Sequence, residues 1–232
     1  MNYTWSKTLS TGGSDNDHPE LINFDTGKLI YQQQYRPQRL TFFYSYDFPI
    51  KDGSGYKAKA LGGWNASGST VIQSGTPLTI NDSQGGTVYF GQTSSLARPD
   101  YCASMGPGDV AAGGSMYNRV TSGLTGGNGY FKSGVFCGVP SYGYGNTGSG
   151  DAGAGIVRGP GQNNWDISFS KTTRVGGINE TASLLFRAEF FNAFNHPMFK
   201  TPNVDSSSPT FGQITGTAVN PRILQFALKY VF

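Results

Sequence analysis

Apolar and polar residues alternate with a period of two along six stretches of the chain. Leu224, Phe226, Leu228, Tyr230 and Phe232 fall on one side of the last stretch, against Gln225, Ala227 and Lys229. Leu184, Phe186, Ala188 and Phe190 share a side against Ser183, Arg187 and Glu189. Trp165, Ile167 and Phe169 oppose Asn164, Asp166, Ser168 and Ser170. In the N-terminal half, Leu40, Phe42, Tyr44, Tyr46 and Phe48 oppose Arg39, Thr41, Ser45 and Asp47. Trp64, Ala66, Thr70 and Ile72 oppose Asn65, Ser67, Ser69 and Gln73, and Tyr3 and Trp5 oppose Asn2, Thr4 and Ser6. Phe43, Leu185 and Val231 break the pattern. Period two is the signature of a strand with two unlike faces. The pattern predicts six strands of roughly 8–12 residues, close to the ~9–11 that cross a bilayer obliquely. No stretch sustains a 3.6-residue period, so little helix is expected.

The connections alternate strictly between long and short. Residues 10–38, 75–163 and 193–221 are long, whereas 49–60 and 174–181 are short. Loops beyond ~12–15 residues are uncommon in a compact domain. Long loops at one end and short turns at the other describe an outer-membrane barrel. Its outward face is apolar and its lumen face polar, which is also how the two sides of these strands divide. Aromatic residues gather toward strand ends, at Trp5, Trp64, Trp165, Tyr46, Phe48, Tyr230 and Phe232, as in the girdles at a membrane interface. The expected fold is all-β: an antiparallel transmembrane β-barrel segment of about six strands in a meander. With the C-terminus on the periplasmic side, every long loop is extracellular.

Composition narrows the alternatives. The 232 residues include 34 Gly, 13 Tyr and 16 Phe, and only 13% are charged. A disordered chain is poor in aromatics and rich in charge, and a helical bundle is rich in Ala, Glu, Lys and Leu. The net charge of +3 comes from scattered residues. No basic stripe argues for nucleic acid. A soluble secreted all-β binding module, adhesin-like or lectin-like, is the main alternative and requires more charge on its outward faces. Cys102 and Cys137 suit one disulfide in an oxidising compartment, or two free, partly buried thiols.

Candidate chemistry is sparse. Residues 143–148 spell G-x-G-x-x-G, but more glycine follows where a dinucleotide site needs a helix. The acidic stretch 15–20 lacks the spacing of a calcium loop. The two histidines, His18 and His196, have no G-x-S-x-G elbow to serve. No cofactor or metal site and no catalytic residue is expected. Asp47, Asp166, Arg187 and Glu189 lie on the polar faces of their strands and read as charges lining a watered lumen rather than a carboxylate pair for glycoside cleavage.

The C-terminal third carries a family pattern. Asn164-Trp165-Asp166-Ile167-Ser168 is followed by Phe186-Arg187-Ala188-Glu189-Phe190-Phe191-Asn192-Ala193-Phe194-Asn195-His196-Pro197, then Phe211-Gly212-Gln213-Ile214 and the run Arg222 to Phe232. Together with Tyr3-Thr4-Trp5-Ser6-Lys7, Gly62-Gly63-Trp64-Asn65, Gln73-Ser74-Gly75-Thr76-Pro77 and Arg158-Gly159-Pro160-Gly161, this resembles the barrel end of Oar-like TonB-dependent receptors. The resemblance implies an outer-membrane wall for nutrient uptake, with Tyr230 and Phe232 in the signal read by the assembly machinery. It also implies partners: membrane lipid, the rest of the barrel, a plug contacting TonB, and a small-molecule substrate of unknown kind. No plug domain or energy-coupling box lies within residues 1–232, so the expectation is the C-terminal part of a longer protein.

Overall fold

The structure is a computed structural model and describes residues 1–10, 30–31, 35–50, 55–83, 98–124, 129–137, 150–175 and 182–232. The acidic stretch 15–20 and the glycine motif at 143–148 lie outside them. Six strands form one antiparallel sheet: β1 (Asn2–Trp5), β4 (Gln38–Asp47), β5 (Trp64–Gln73), β10 (Gln162–Arg174), β11 (Ser183–Phe191) and β12 (Ile223–Val231). They are neighbours in sequence order, a meander, and the sheet is open with β1 and β12 at its edges. The connections after β1, β5 and β11 all leave from one end, and those after β4 and β10 from the other.

Register joins the six alternations into two continuous faces, because residues directly opposed in an antiparallel pair point to the same side. Tyr46, Ala66, Phe169, Ala188 and Phe226 are successive partners across five strands. Ser45, Ser67, Ser168, Glu189 and Gln225 form the next row, on the other face. A shift of one residue in any strand would interleave the two sets. Among the described residues, nothing covers the apolar face along β12: Phe226 is 61% and Leu228 66% exposed. Gly68 sits in its centre, where a side chain would overlap the Tyr44 ring laid across it.

The buried core lies elsewhere. Leu78, Ile80, Val110, Tyr130, Phe131, Val135, Val157 and Ile214 pack together outside the sheet, from the 75–163 and 193–221 connections. Between β5 and β10 the chain forms β6 (Pro77–Leu78), β7 (Asp100–Tyr101), β8 (Phe136–Cys137) and β9 (Val157–Arg158), paired β6–β9 and β7–β8. β2 (Leu9–Ser10) pairs with β3 (Ile30–Tyr31) in the first connection. Bridges Ala111–Phe131 and Asn81–Asp205 complete the assembly, the second joining the 75–163 connection to that of 193–221. The long connections thus build a folded cap at one end of the wall.

Two helices depart from the expectation for their segments, though helix stays a minor element. Tyr56–Leu61 occupies the short turn after β4, bracketed by Gly55 and Gly62. Its Lys-Ala-Lys-Ala-Leu run favours helix, but six residues are too few to display a period. Met116–Leu124 lies in the cap, where Met116 and Val120 touch the core one turn apart. No helix among the described residues is long and apolar enough to cross a membrane.

The face assignment makes a direct prediction. Phe226→Arg places a guanidinium near the middle of the apolar face, and should cost ~2–4 kcal/mol of stability in lipid. Gln225→Arg, its neighbour on the polar face, should behave like the parent. Urea-dependent folding of the full-length protein in phospholipid vesicles measures both; equal losses would contradict the two faces.

Candidate functional site

The four charged residues picked out on the polar face sit in local groups. On β11, Arg187 Nε lies 3.2 Å from Glu189 Oε1. Asn65 Nδ2 donates to Asp47 Oδ1 at 2.7 Å and to Ser45 Oγ at 3.0 Å, tying β5 to β4. Asp166 accepts from Asn164 Nδ2 at 3.0 Å and from the Asn192 backbone N–H at 2.9 Å. The four charged residues singled out from sequence therefore stand on one face but in three groups. Asp47 with Asn65 on β4 and β5 stands in the same row as Arg187 on β11, with β10 between them, and Asp166 lies two rows nearer the cap. Phe43 also points to this face, 76% exposed, in register with Ser69.

On the apolar face, Trp64 and Tyr46 lie toward the short-turn end and Trp165 and Trp5 toward the cap. Lys171 is a charge on this face. Its ammonium donates to the carbonyls of Ala60 at 3.0 Å and Gly62 at 2.6 Å, and sits 5.2 Å from the Trp64 ring centroid. The same bonds occupy the carbonyl end of helix Tyr56–Leu61, so the lysine is neutralised in part by the helix terminus. Tyr230 continues the apolar row of β12 and stacks on Phe232 at 5.9 Å.

The wall meets the cap at two tight junctions. At one, Gly75 runs so close to Gly159 that a side chain there would overlap the Gly159 carbonyl. Gly159 N–H donates to Thr76 O at 2.9 Å, and Arg36 donates to Ser74 O at 2.8 Å. The other junction is Asn192, in the left-handed region at φ 50° and 6% exposed. Its amide donates to His196 O and Asn220 O, and its side-chain oxygen accepts from His196 N–H at 2.9 Å. Asn195, also left-handed at φ 51°, accepts from Arg222 N–H at 3.0 Å. The repeated Asn in the 190–197 stretch thus turns the chain off β11 and lines up the entry to β12. His196 contributes backbone groups to that turn.

Within the cap, Cys102 and Cys137 form a disulfide beside the β7–β8 pair. They are 35 residues apart, and closing such a loop restricts the unfolded chain by about 4 kcal/mol in the chain-entropy treatment. That equals burying roughly two large apolar side chains at ~1.5–3 kcal/mol each, so the bond matters to a core this small. Tyr101 stacks on Phe136 at 5.4 Å, and burial, then the charge of Asp151, pushes its hydroxyl up to about 12. Burial likewise raises Tyr130. Burial acts to raise Asp205 too, but hydrogen bonds from Ser83 and Ser207 outweigh it and hold the carboxyl below its ordinary value. No group of three or more His, Cys, Asp or Glu residues placed to hold a metal occurs among the described residues.

The Asn192 junction is testable. Asn192→Ala removes three side-chain bonds and leaves a β-carbon in left-handed backbone, which together should cost ~2–4 kcal/mol. Asn192→Gly, which keeps the conformation and loses only the bonds, should recover part of this. Denaturant midpoints of the full-length protein give the order; a Gly variant as weak as Ala would contradict the role assigned to the backbone.

No curated protein matches the chain, and no solved structure does. A family model described as an outer membrane beta barrel domain matches residues 1–225, nearly the whole length. The match agrees with the two-faced meander, the long connections gathered at one end and the uncovered apolar side. The chain belongs to the outer-membrane β-barrel family, and its place is the bacterial outer membrane.

Proposed function

We propose that this chain is part of the barrel wall of a TonB-dependent outer-membrane receptor that takes up a scarce nutrient. The open sheet carries the reading. Six strands fall short of the ~8 that close even a filled barrel, and both edges present unpaired backbone groups that lipid cannot satisfy. Further strands of the same wall are the partners such edges require. The resemblance of the 186–197 and 222–232 stretches to Oar-like receptors supports a large, plugged barrel. Phe43, bare on the polar face that also carries Leu185 and Val231, fits a lumen filled by a plug better than one filled by water.

On this reading the apolar face meets membrane lipid, Tyr230 and Phe232 are read by the assembly machinery, and the cap faces the outside. TonB acts on the plug, and the wall performs no covalent chemistry. Glu189 is engaged by Arg187, and Asp166 by Asn164 and Asn192, which supports structural roles for both carboxylates. A soluble secreted module is disfavoured by an apolar face with Phe226 and Leu228 largely bare.

Uptake by the producing bacterium tests the proposal. Ferric chelates, cobalamin and oligosaccharides are offered to parent and gene-deletion strains, with and without a protonophore. The expected result is loss of one class on deletion, and loss of the same class with protonophore in the parent. Unchanged uptake of all three on deletion, or uptake insensitive to the protonophore, would overturn it.

A further inference from the structure

A hollow in the cap has a chemistry that the wall does not use. It is lined by Ala112, Gly113, Asn118, Arg119, Ser122, Gly129 and Lys132, and measures about 390 Å³. At ~30 Å³ per water, that is room for a small molecule of about a dozen heavy atoms. One wall is helix Met116–Leu124, opened by Ser115, whose hydroxyl accepts from Asn118 N–H at 3.2 Å. The opposite wall is the Ala111–Phe131 bridge, held by Ala112 N–H to Tyr130 O and Lys132 N–H to Val110 O. Gly129 closes the floor in the left-handed conformation, at φ 60°, where a side chain would meet the Gly212 carbonyl.

The lining is cationic. Arg119 and Lys132 both contribute, with the Asn118 amide and Ser122 beside them, and no acidic side chain is among the described lining residues. The Arg119 guanidinium is fixed 5.3 Å above the Tyr130 ring, and its Nε is buried with no hydrogen-bond partner among the described residues. The guanidinium bonds the Tyr130 hydroxyl but leaves Nε without an acceptor, which is costly for a buried donor, and an acceptor entering the hollow would relieve that cost. Tyr130 is itself anchored by its hydroxyl on Arg158 O at 2.8 Å, so the ring under Arg119 is held in place. Lys132 pairs with Asp109 at 3.5 Å, and both side chains are exposed by nearly half. Such a pair is weak and readily shared with a second anion.

We propose that this hollow binds an oxyanion: the carboxylate or phosphate group of a small molecule. Arg119 supplies directed donors from a fixed plane, and Lys132 supplies a mobile charge at the rim. Asn118 adds a neutral amide. The site rests on the geometry of the cap and not on the uptake reading; a binding assay reports on it even if the protein transports nothing.

Calorimetric titration of the full-length protein in detergent, at low salt, tests the site with two probes, citrate and inorganic phosphate. Tight binding of citrate with weak phosphate marks a carboxylate ligand, and the reverse marks a phosphate ligand; either supports the proposal. Arg119→Gln and Lys132→Gln should each weaken the preferred probe by tenfold or more, and Arg119→Lys should retain part of the affinity. An unchanged melting temperature certifies that a variant has kept the cap. Absence of binding by the folded parent, or equal affinity in parent and Arg119→Gln, would overturn the proposal.

Discussion

Backbone N–H and C=O groups find no water inside a bilayer, so a chain that crosses it as strands must pair nearly all of them with neighbouring strands. The remaining features of the wall follow from that pairing. Once β4, β5, β10, β11 and β12 are hydrogen-bonded in antiparallel order, residues across the sheet must agree on which side they face. The row Tyr46, Ala66, Phe169, Ala188 and Phe226 is that agreement in residues, and the Ser45 to Gln225 row beside it is its complement. The apolar row contributes little to a core in water. Its favourable environment is hydrocarbon, which explains why Phe226 and Leu228 stand bare along one of the regular strands.

The cap obeys the other solvent. It stands in water, has no sheet broad enough to fold around, and so gathers a small apolar core of its own. Leu78, Ile80, Val110, Phe131 and Val135 are nearly or fully buried there, with Ile214 brought in from the later connection. A small core is marginal, and the Cys102–Cys137 bond offsets that by limiting the unfolded chain. Glycine reconciles wall and cap where they touch. Gly75 and Gly159 allow two backbones to pass at a distance no side chain permits. Asn192 solves the same problem at the end of β11 by using its own side chain as the missing turn partner.

The wall was readable from sequence because period two converts directly into a face. Even the exceptions were readable: Phe43, Leu185 and Val231 fall out of phase in the sequence, and the register puts them on the polar side. The cap was not readable, for physical reasons. Its core residues come in ones and twos along glycine-rich chain, and their partners are distant: Ala111 meets Phe131, and Asn81 meets Asp205. Helix Met116–Leu124 carries only a three-residue stripe, Met116, Val120 and Leu124, too short to stand out as a period, and Gly123 lowers its propensity. The oxyanion hollow was invisible for the same reason, since Arg119 on the helix and Lys132 beside the Ala111–Phe131 bridge come together only as its two walls. The Asn192 turn did leave a trace: two Asn three residues apart, before a Pro, at the end of an apolar run.

The central claim is that the strands stand in a bilayer with alternate residues in lipid and in water. Spin labels placed one at a time from Leu224 to Lys229 of the full-length protein in vesicles measure this. Collision rates with dissolved oxygen, which concentrates in lipid, and with a water-soluble nickel chelate are recorded at each position. The account predicts that Leu224, Phe226 and Leu228 favour oxygen while Gln225, Ala227 and Lys229 favour nickel, with a period of two. A smooth profile, or one in which both sets favour the chelate, would contradict it.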